Sequence, residues 1–220
     1  MVLIGALLFT LATGHFGYAL PHKDYEPTPQ RAVIAVLGGP HVRAIRTNIV
    51  GRYAAVLTRG GIIEGADVTW AILAEHFSFG WQPLDALNFS CNLNDHPISA
   101  RDKKALMLGM PRMKEEGPCR GYSGDAGPRA DVESIRQMMI SVFIPSVRVS
   151  GQFALGHWYG GGGGERLFQR VGGKWQSIAG GGGAMDAEDL GRYGVPRMTQ
   201  CFFIVDDPKC PKKAVKVTVH

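Results

Sequence analysis

Ile49-Val50-Gly51-Arg52-Tyr53-Ala54-Ala55-Val56-Leu57 returns as Val149-Ser150-Gly151-Gln152-Phe153-Ala154-Leu155-Gly156-His157. A glycine followed by an aromatic and then small and apolar residues marks a turn entering a β-strand. Further markers follow in the same order. Gly60-Gly61 answers to the run from Gly160 to Gly164, Glu64 to Glu165, and Trp81-Gln82 to Trp175-Gln176. Both stretches close on a near-identical tag, Gly109-Met110-Pro111-Arg112-Met113 and Gly194-Val195-Pro196-Arg197-Met198. The spacing shrinks from 100 to 85 residues between first and last markers, as expected of a duplicated unit with an insert in the first copy.

The markers predict the unit's elements. In the second copy, strands over Phe153–Tyr159, Glu165–Val171 and Lys174–Ile178 are separated by glycine runs, and Gly172-Gly173 is a strong hairpin signal. A helix follows, started by Asp186 and Asp189 in one copy and Ser99 and Asp102 in the other. Gly109 and Gly194, each followed by proline, stop it. A longer helix precedes the second copy. Asp131 and Glu133 stand in its first turn, Val132, Ile135, Met138, Met139 and Val142 form its apolar face, and Ile144-Pro145 ends it. Gln30–Leu37 is the weaker equivalent in the first copy. The expected fold class is α+β, two tandem copies of a helix, a three-stranded antiparallel meander and a helix.

The expected organisation is a signal peptide over 1–19, a first repeat over 20–113, a linker over 114–129, a second repeat over 130–200 and a tail over 201–220. Residues 1–19 carry no Lys, Arg, Asp or Glu, and Gly17-Tyr18-Ala19 suits a signal peptidase. The apolar run is too short to span a bilayer, which takes about 20 residues. Export to a periplasmic or extracellular space fits four cysteines as disulfides. Of three connectivities, Cys91–Cys119 and Cys201–Cys210 are favoured.

From Val149 through Trp158, Gly164, Leu167, Gly173-Lys174-Trp175 and Leu190 to Gly194-Val195-Pro196, the second copy resembles small exported bacterial copper-uptake-system-associated proteins. Gly180–Gly183 stands where that family has a Cys-x-Gly. The resemblance implies an exported α+β unit and makes copper the metal to weigh, without assigning ligands.

No catalytic constellation stands out. Gly160–Gly164 precedes a strand rather than a helix, and Gly180–Gly183 lacks the Lys or Ser/Thr of a nucleotide loop. There is no G-x-S-x-G elbow. His22, His41, His76, His96 and His157 show no HxH or HxxxH spacing, and Met107, Met110 and Met113 fit helix packing as well as soft-metal ligation. Net charge of +5 and a tail with Lys209, Lys212, Lys213 and Lys216 lack the aromatic interleaving of a nucleic-acid surface. Large rings beside turns point to binding instead, with Trp81, His157, Trp158, Tyr159 and Glu165 as candidate residues. The expected function is an exported, non-enzymatic binding or accessory protein with another periplasmic or extracellular protein as partner. The alternatives are a periplasmic copper-handling protein and a small-ligand pocket protein or enzyme of cone-like α+β fold.

Overall fold

The computed structural model describes residues 26–37, 41–60, 69–86, 93, 96–111, 124–139, 143–159, 163–204 and 208–210. The expected leader, Glu64, Cys91 and Cys119 lie outside them. Helix α1 (Pro29–Leu37) precedes strands β1 (Arg43–Val50), β2 (Tyr53–Arg59), β3 (Thr69–Phe77) and β4 (Gly80–Ala86), and α2 (Ala100–Leu106) follows. Helix α3 (Arg129–Met138) precedes β5 (Phe143–Ser150), β6 (Phe153–Tyr159), β7 (Gly164–Val171) and β8 (Lys174–Gly182). Then come α4 (Ala187–Arg192) and α5 (Arg197–Phe203).

The architecture is α+β, with two antiparallel sheets of four strands each rather than three, ordered β1-β2-β3-β4 and β5-β6-β7-β8. The extra strand in each precedes the marker glycine. Gly51 and Gly151 occupy the tips of two-residue hairpins at φ 56° and 60°, which pair Val50 with Tyr53 and Ser150 with Phe153. Glycine takes positive φ without the Cβ clash other residues meet there. Gly172-Gly173 makes the expected turn, pairing Val171 with Lys174. Among the described residues no continuous sheet joins the two, although β4 runs beside β5.

Registers agree in detail. Pairings of Asn48 with Ala55 and Glu75 with Gln82 correspond to Arg148 with Leu155 and Gln169 with Gln176. Bulges fall at Leu73/Ala74 in one sheet and Leu167/Phe168 in the other. His76 N donates to Arg52 O as Arg170 N donates to Gln152 O, each at 2.8 Å. The same register places Ala71 opposite Leu57 where Glu165 stands opposite His157, so no acidic residue of β3 corresponds to Glu165.

Each sheet is covered on both faces. Val33 and Leu37 of α1 pack on Val56, Ile72 and Ala74. The opposite face joins Ala55, Leu73, Phe77 and Leu84 to Ile98, Leu106 and Met110. In the second sheet Val132, Ile135 and Met139 cover Val147, Ala154 and Phe168, while Leu190, Val195 and Phe203 cover Phe153, Leu155 and Leu167. Burying one such Leu or Phe contributes about 1.5–3 kcal/mol. Met138 falls off the expected apolar face and is 38% exposed. Instead of ending α3, Ile144-Pro145 lies inside β5.

The helix signals hold locally. Ser99 Oγ accepts from Asp102 N at 3.1 Å, and Asp186 with Asp189 forms a reciprocal capping box. Gly109 and Gly194 follow the helix ends at φ 70° and 73°. Helix α5 is additional and runs through position 200, which the sequence reading sets as the end of the second repeat.

Candidate functional site

The five candidate residues do not form one cluster. Trp81 lies on β4, paired with His76, their rings edge to face at 5.1 Å, and it packs with the α1-covered core. Trp158 belongs to the other sheet, half-buried against the α3-covered core and paired with Gly164. His157 and Glu165 face the opposite side of the same strands, His157 Nδ1 lying 3.5 Å from Glu165 Oε1. Glu165 Oε2 also accepts from Met185 N at 2.6 Å, which ties β7 to the segment entering α4. Tyr159 is the last residue of β6.

Around Trp158 the glycines have a steric reason. A Cβ at Gly164 would run into the Gly181 carbonyl oxygen and come within 3.1 Å of the Trp158 ring. Gly181 itself has open space, and Gly180–Gly182 are exposed on β8, an outer strand of its sheet. Gly180–Gly182 is the end of β8, which runs past the expected limit at Ile178.

A second cluster, at the junction of the two sheets, escapes the sequence reading. Arg136 of α3 is fully buried. Its Nε and Nη2 donate to Asp125 at 3.0 and 2.6 Å, and its Nη1 donates to Gln82 Oε1 and to Ile144 O, both at 2.9 Å. Asp125 also accepts from Val147 N at 2.8 Å. Two turns back along the same face of α3, Arg129 reaches Glu75 at 2.7 Å and Glu133 at 2.8 Å, and Ser78 donates to Glu133. Arg52 reaches Glu75 at 3.1 Å and Tyr53 Oη at 3.0 Å. The Phe77 ring receives the guanidiniums of Arg129 and Arg136 at 4.4 and 4.9 Å and stacks on Phe79. The β3–β4 hairpin of the first sheet is thereby bound to the helix that covers the second.

Burial dominates the electrostatics. It raises the Glu75 carboxyl above its ordinary value, assisted by the charge of Asp125 and against the pull of Arg136 and Arg129. Burial and the charge of Glu75 raise the Tyr53 phenol. His96 is pushed down to about 4 by burial, with Arg136 and Lys103 acting in the same direction and Asp125 against it, so its imidazole is neutral at pH 7. Arg148, buried on the second sheet with its guanidinium over Phe202, is lowered by burial to about 10.

Cys201 and Cys210 are bonded, with Cα atoms 5.4 Å apart. Among the described residues, no group of three or more His, Cys, Asp or Glu is placed to hold a metal ion, and no helix is long and apolar enough to cross a membrane. Comparisons with family models, with curated proteins and with solved structures return no match.

Proposed function

We propose that this chain is an exported, non-enzymatic binding or accessory protein built from two copies of one α+β unit, gripping another exported protein through an aromatic and glycine-rich surface. The observation that carries this is the Trp158 ring lying against Gly164, which itself abuts Gly181, beside a strand end whose glycines are exposed. A rigid ring beside open, side-chain-free backbone suits a protein contact, since Trp supplies large contact area at low entropic cost. The junction cluster supports the same reading, because its buried charges bond one another and hold the two sheets in fixed relation. The Cys201–Cys210 bond suits an oxidising compartment. The matched hairpins and bulges support descent of both halves from one helix–meander–helix unit.

The test is cross-linking and co-purification from the exported fraction of cells producing wild type, Trp158→Ala or Gly181→Gln. Gly181→Gln adds bulk where a Cβ meets nothing within 4 Å. Wild type is expected to retain one partner at fixed stoichiometry, and both variants to lose it while keeping their far-ultraviolet circular dichroism. Equal retention by all three refutes the surface.

A further inference from the structure

The two sheets share their register but not the protection of their first strand. In β5, Ile144, Pro145, Val147 and Val149 are buried, whereas their counterparts on β1 include Ile45 and Ile49, each 54% exposed. The cause lies in what covers the strand. Strand β5 lies under α3 and beside β4, while β1 has α1 and α2 against it, α1 lying chiefly over β4 and β3, and no strand of the other sheet beside it among the described residues. Ahead of α3, Ala126 pairs in parallel with Arg148, donating to Val147 O at 3.0 Å and accepting from Val149 N at 2.7 Å. Asp125 takes the outward Val147 N–H. Ahead of α1, Glu26 lies instead at the opposite edge, its carbonyl oxygen 3.4 Å from Trp81 N.

The register shows which groups are left on β1. In a two-residue hairpin closed by Val50 and Tyr53, Asn48 bonds to Ala55 and the residues between turn their N–H and C=O outward. Thr47 and Ile49 are those residues, as Val147 and Val149 are in β5. Among the described residues nothing pairs with that outer edge. Arg43 and Arg46 are exposed along it, and no described carboxylate pairs with either. An eight-residue outer strand with exposed apolar side chains is a template for strand addition.

We propose that the outer edge of β1 docks an extended acidic segment of a partner protein by strand addition. The segment's backbone bonds Thr47 and Ile49, its apolar residues cover Ile45 and Ile49, and its carboxylates meet Arg43 and Arg46. Residues 125 and 126 on β5 are the chain's own pattern for this contact, a carboxylate and a backbone amide on the outward groups of Val147. The inference rests on the binding reading above but not on the Trp158 surface, which lies on the other sheet.

The probe is a fluorescent, end-blocked ten-residue peptide of alternating aspartate and valine, followed by anisotropy. Wild type and Trp158→Ala are expected to bind it saturably, more weakly as salt rises, and to ignore the lysine–valine analogue. Thr47→Pro removes an outward N–H without touching the β1–β2 bonds, and about tenfold or greater weakening is expected. Arg43→Glu with Arg46→Glu is expected to weaken binding by a similar factor and serves if the proline variant does not fold. No saturable binding to wild type, equal binding of the lysine peptide, or undiminished binding by the variants overturns the proposal. So does a wild-type dimer in sedimentation that Thr47→Pro dissolves, which assigns the edge to a second copy. Loss of the peptide in Trp158→Ala alone overturns the placement on β1, whereas loss of the cellular partner alone overturns only the Trp158 surface.

Discussion

Replacing Arg136 by Met keeps most of the apolar stem of the side chain and removes its fork of donors. Four bonds go with it, two to Asp125, one to Gln82 Oε1 and one to the Ile144 carbonyl oxygen. Asp125 keeps the Val147 amide and partial access to water, at 19% side-chain exposure. Breaking a buried ion pair from one side costs about 3–5 kcal/mol. An orphaned carbonyl adds about 1 kcal/mol, while Gln82 can turn toward other partners. A net loss of about 4–6 kcal/mol follows, against a typical total of about 5–15 kcal/mol. At about 2–4 °C per kcal/mol for a chain of this size, Tm falls by about 8–24 °C. Denaturation followed by tryptophan emission measures it, with Trp70 and Trp81 reporting on the first sheet and Trp158 and Trp175 on the second. Asp125→Asn combined with Arg136→Met should cost less than the sum of the single changes by about 1–3 kcal/mol, since both partners of the pair are gone. A loss below about 1 kcal/mol for Arg136→Met, or strict additivity in the cycle, refutes the claim that this pair holds the sheets together.

Gly164→Ala drives a methyl group into the Gly181 carbonyl and should cost about 1–3 kcal/mol in urea denaturation, whereas Gly181→Ala, with open space, should cost far less. His96 folds with its pKa lowered from 6.5 to about 4, so the stability tied to its neutral form is complete above 6.5 and is lost as pH falls toward 4. His96→Gln should flatten that part of the stability–pH curve. Glu75 acts oppositely. Its raised folded pKa means that stability declines as pH climbs from 4.5 through the folded value, and Glu75→Gln should remove that decline. Changing Cys201 and Cys210 both to Ser opens a loop of nine-residue separation and should lower stability by about 2–3 kcal/mol, read by calorimetry with and without reductant.

Local signals were legible where chemistry is local. Asp186, Asp189, Gly109, Gly194 and Gly172-Gly173 all act as caps or turns, because each needs only a few neighbouring residues to be satisfied. Strands β1 and β5 were missed because Gly51 and Gly151 read as entries to a strand when they are turns between two. Pro145 concealed β5 further, since proline usually ends an element. It is accommodated here at the register shift between Phe143 and Ser146, where the ladder does not use its missing N–H. Of the candidate site, the Trp158–Gly164 contact has a trace in the glycine runs. The junction cluster has almost none. Arg136 reads as an ordinary polar residue of an amphipathic helix, and its burial depends on Gln82 and Phe77, more than fifty positions earlier in the chain.

The differences between the sheets follow from where one helix sits. With α3 over β5 and β6, its apolar face meets the second sheet and its charged flank is turned toward the first, where the β3–β4 hairpin must supply partners. Glu75 and Phe77 stand there, while the register-equivalent positions on β7 are Gln169 and Val171, the latter 48% exposed. Among the described residues the cluster therefore occurs once, at the helix whose charged side chains bond the other sheet. Helix α1 sits chiefly over β3 and β4, and although it and α2 also touch β1, among the described residues the outer edge of β1 is left unpaired. One displacement thus produces both the buried joint and the open strand. A repeat whose helices were placed alike would have neither, and its outer edge would be sealed as β5 is by residues 125 and 126.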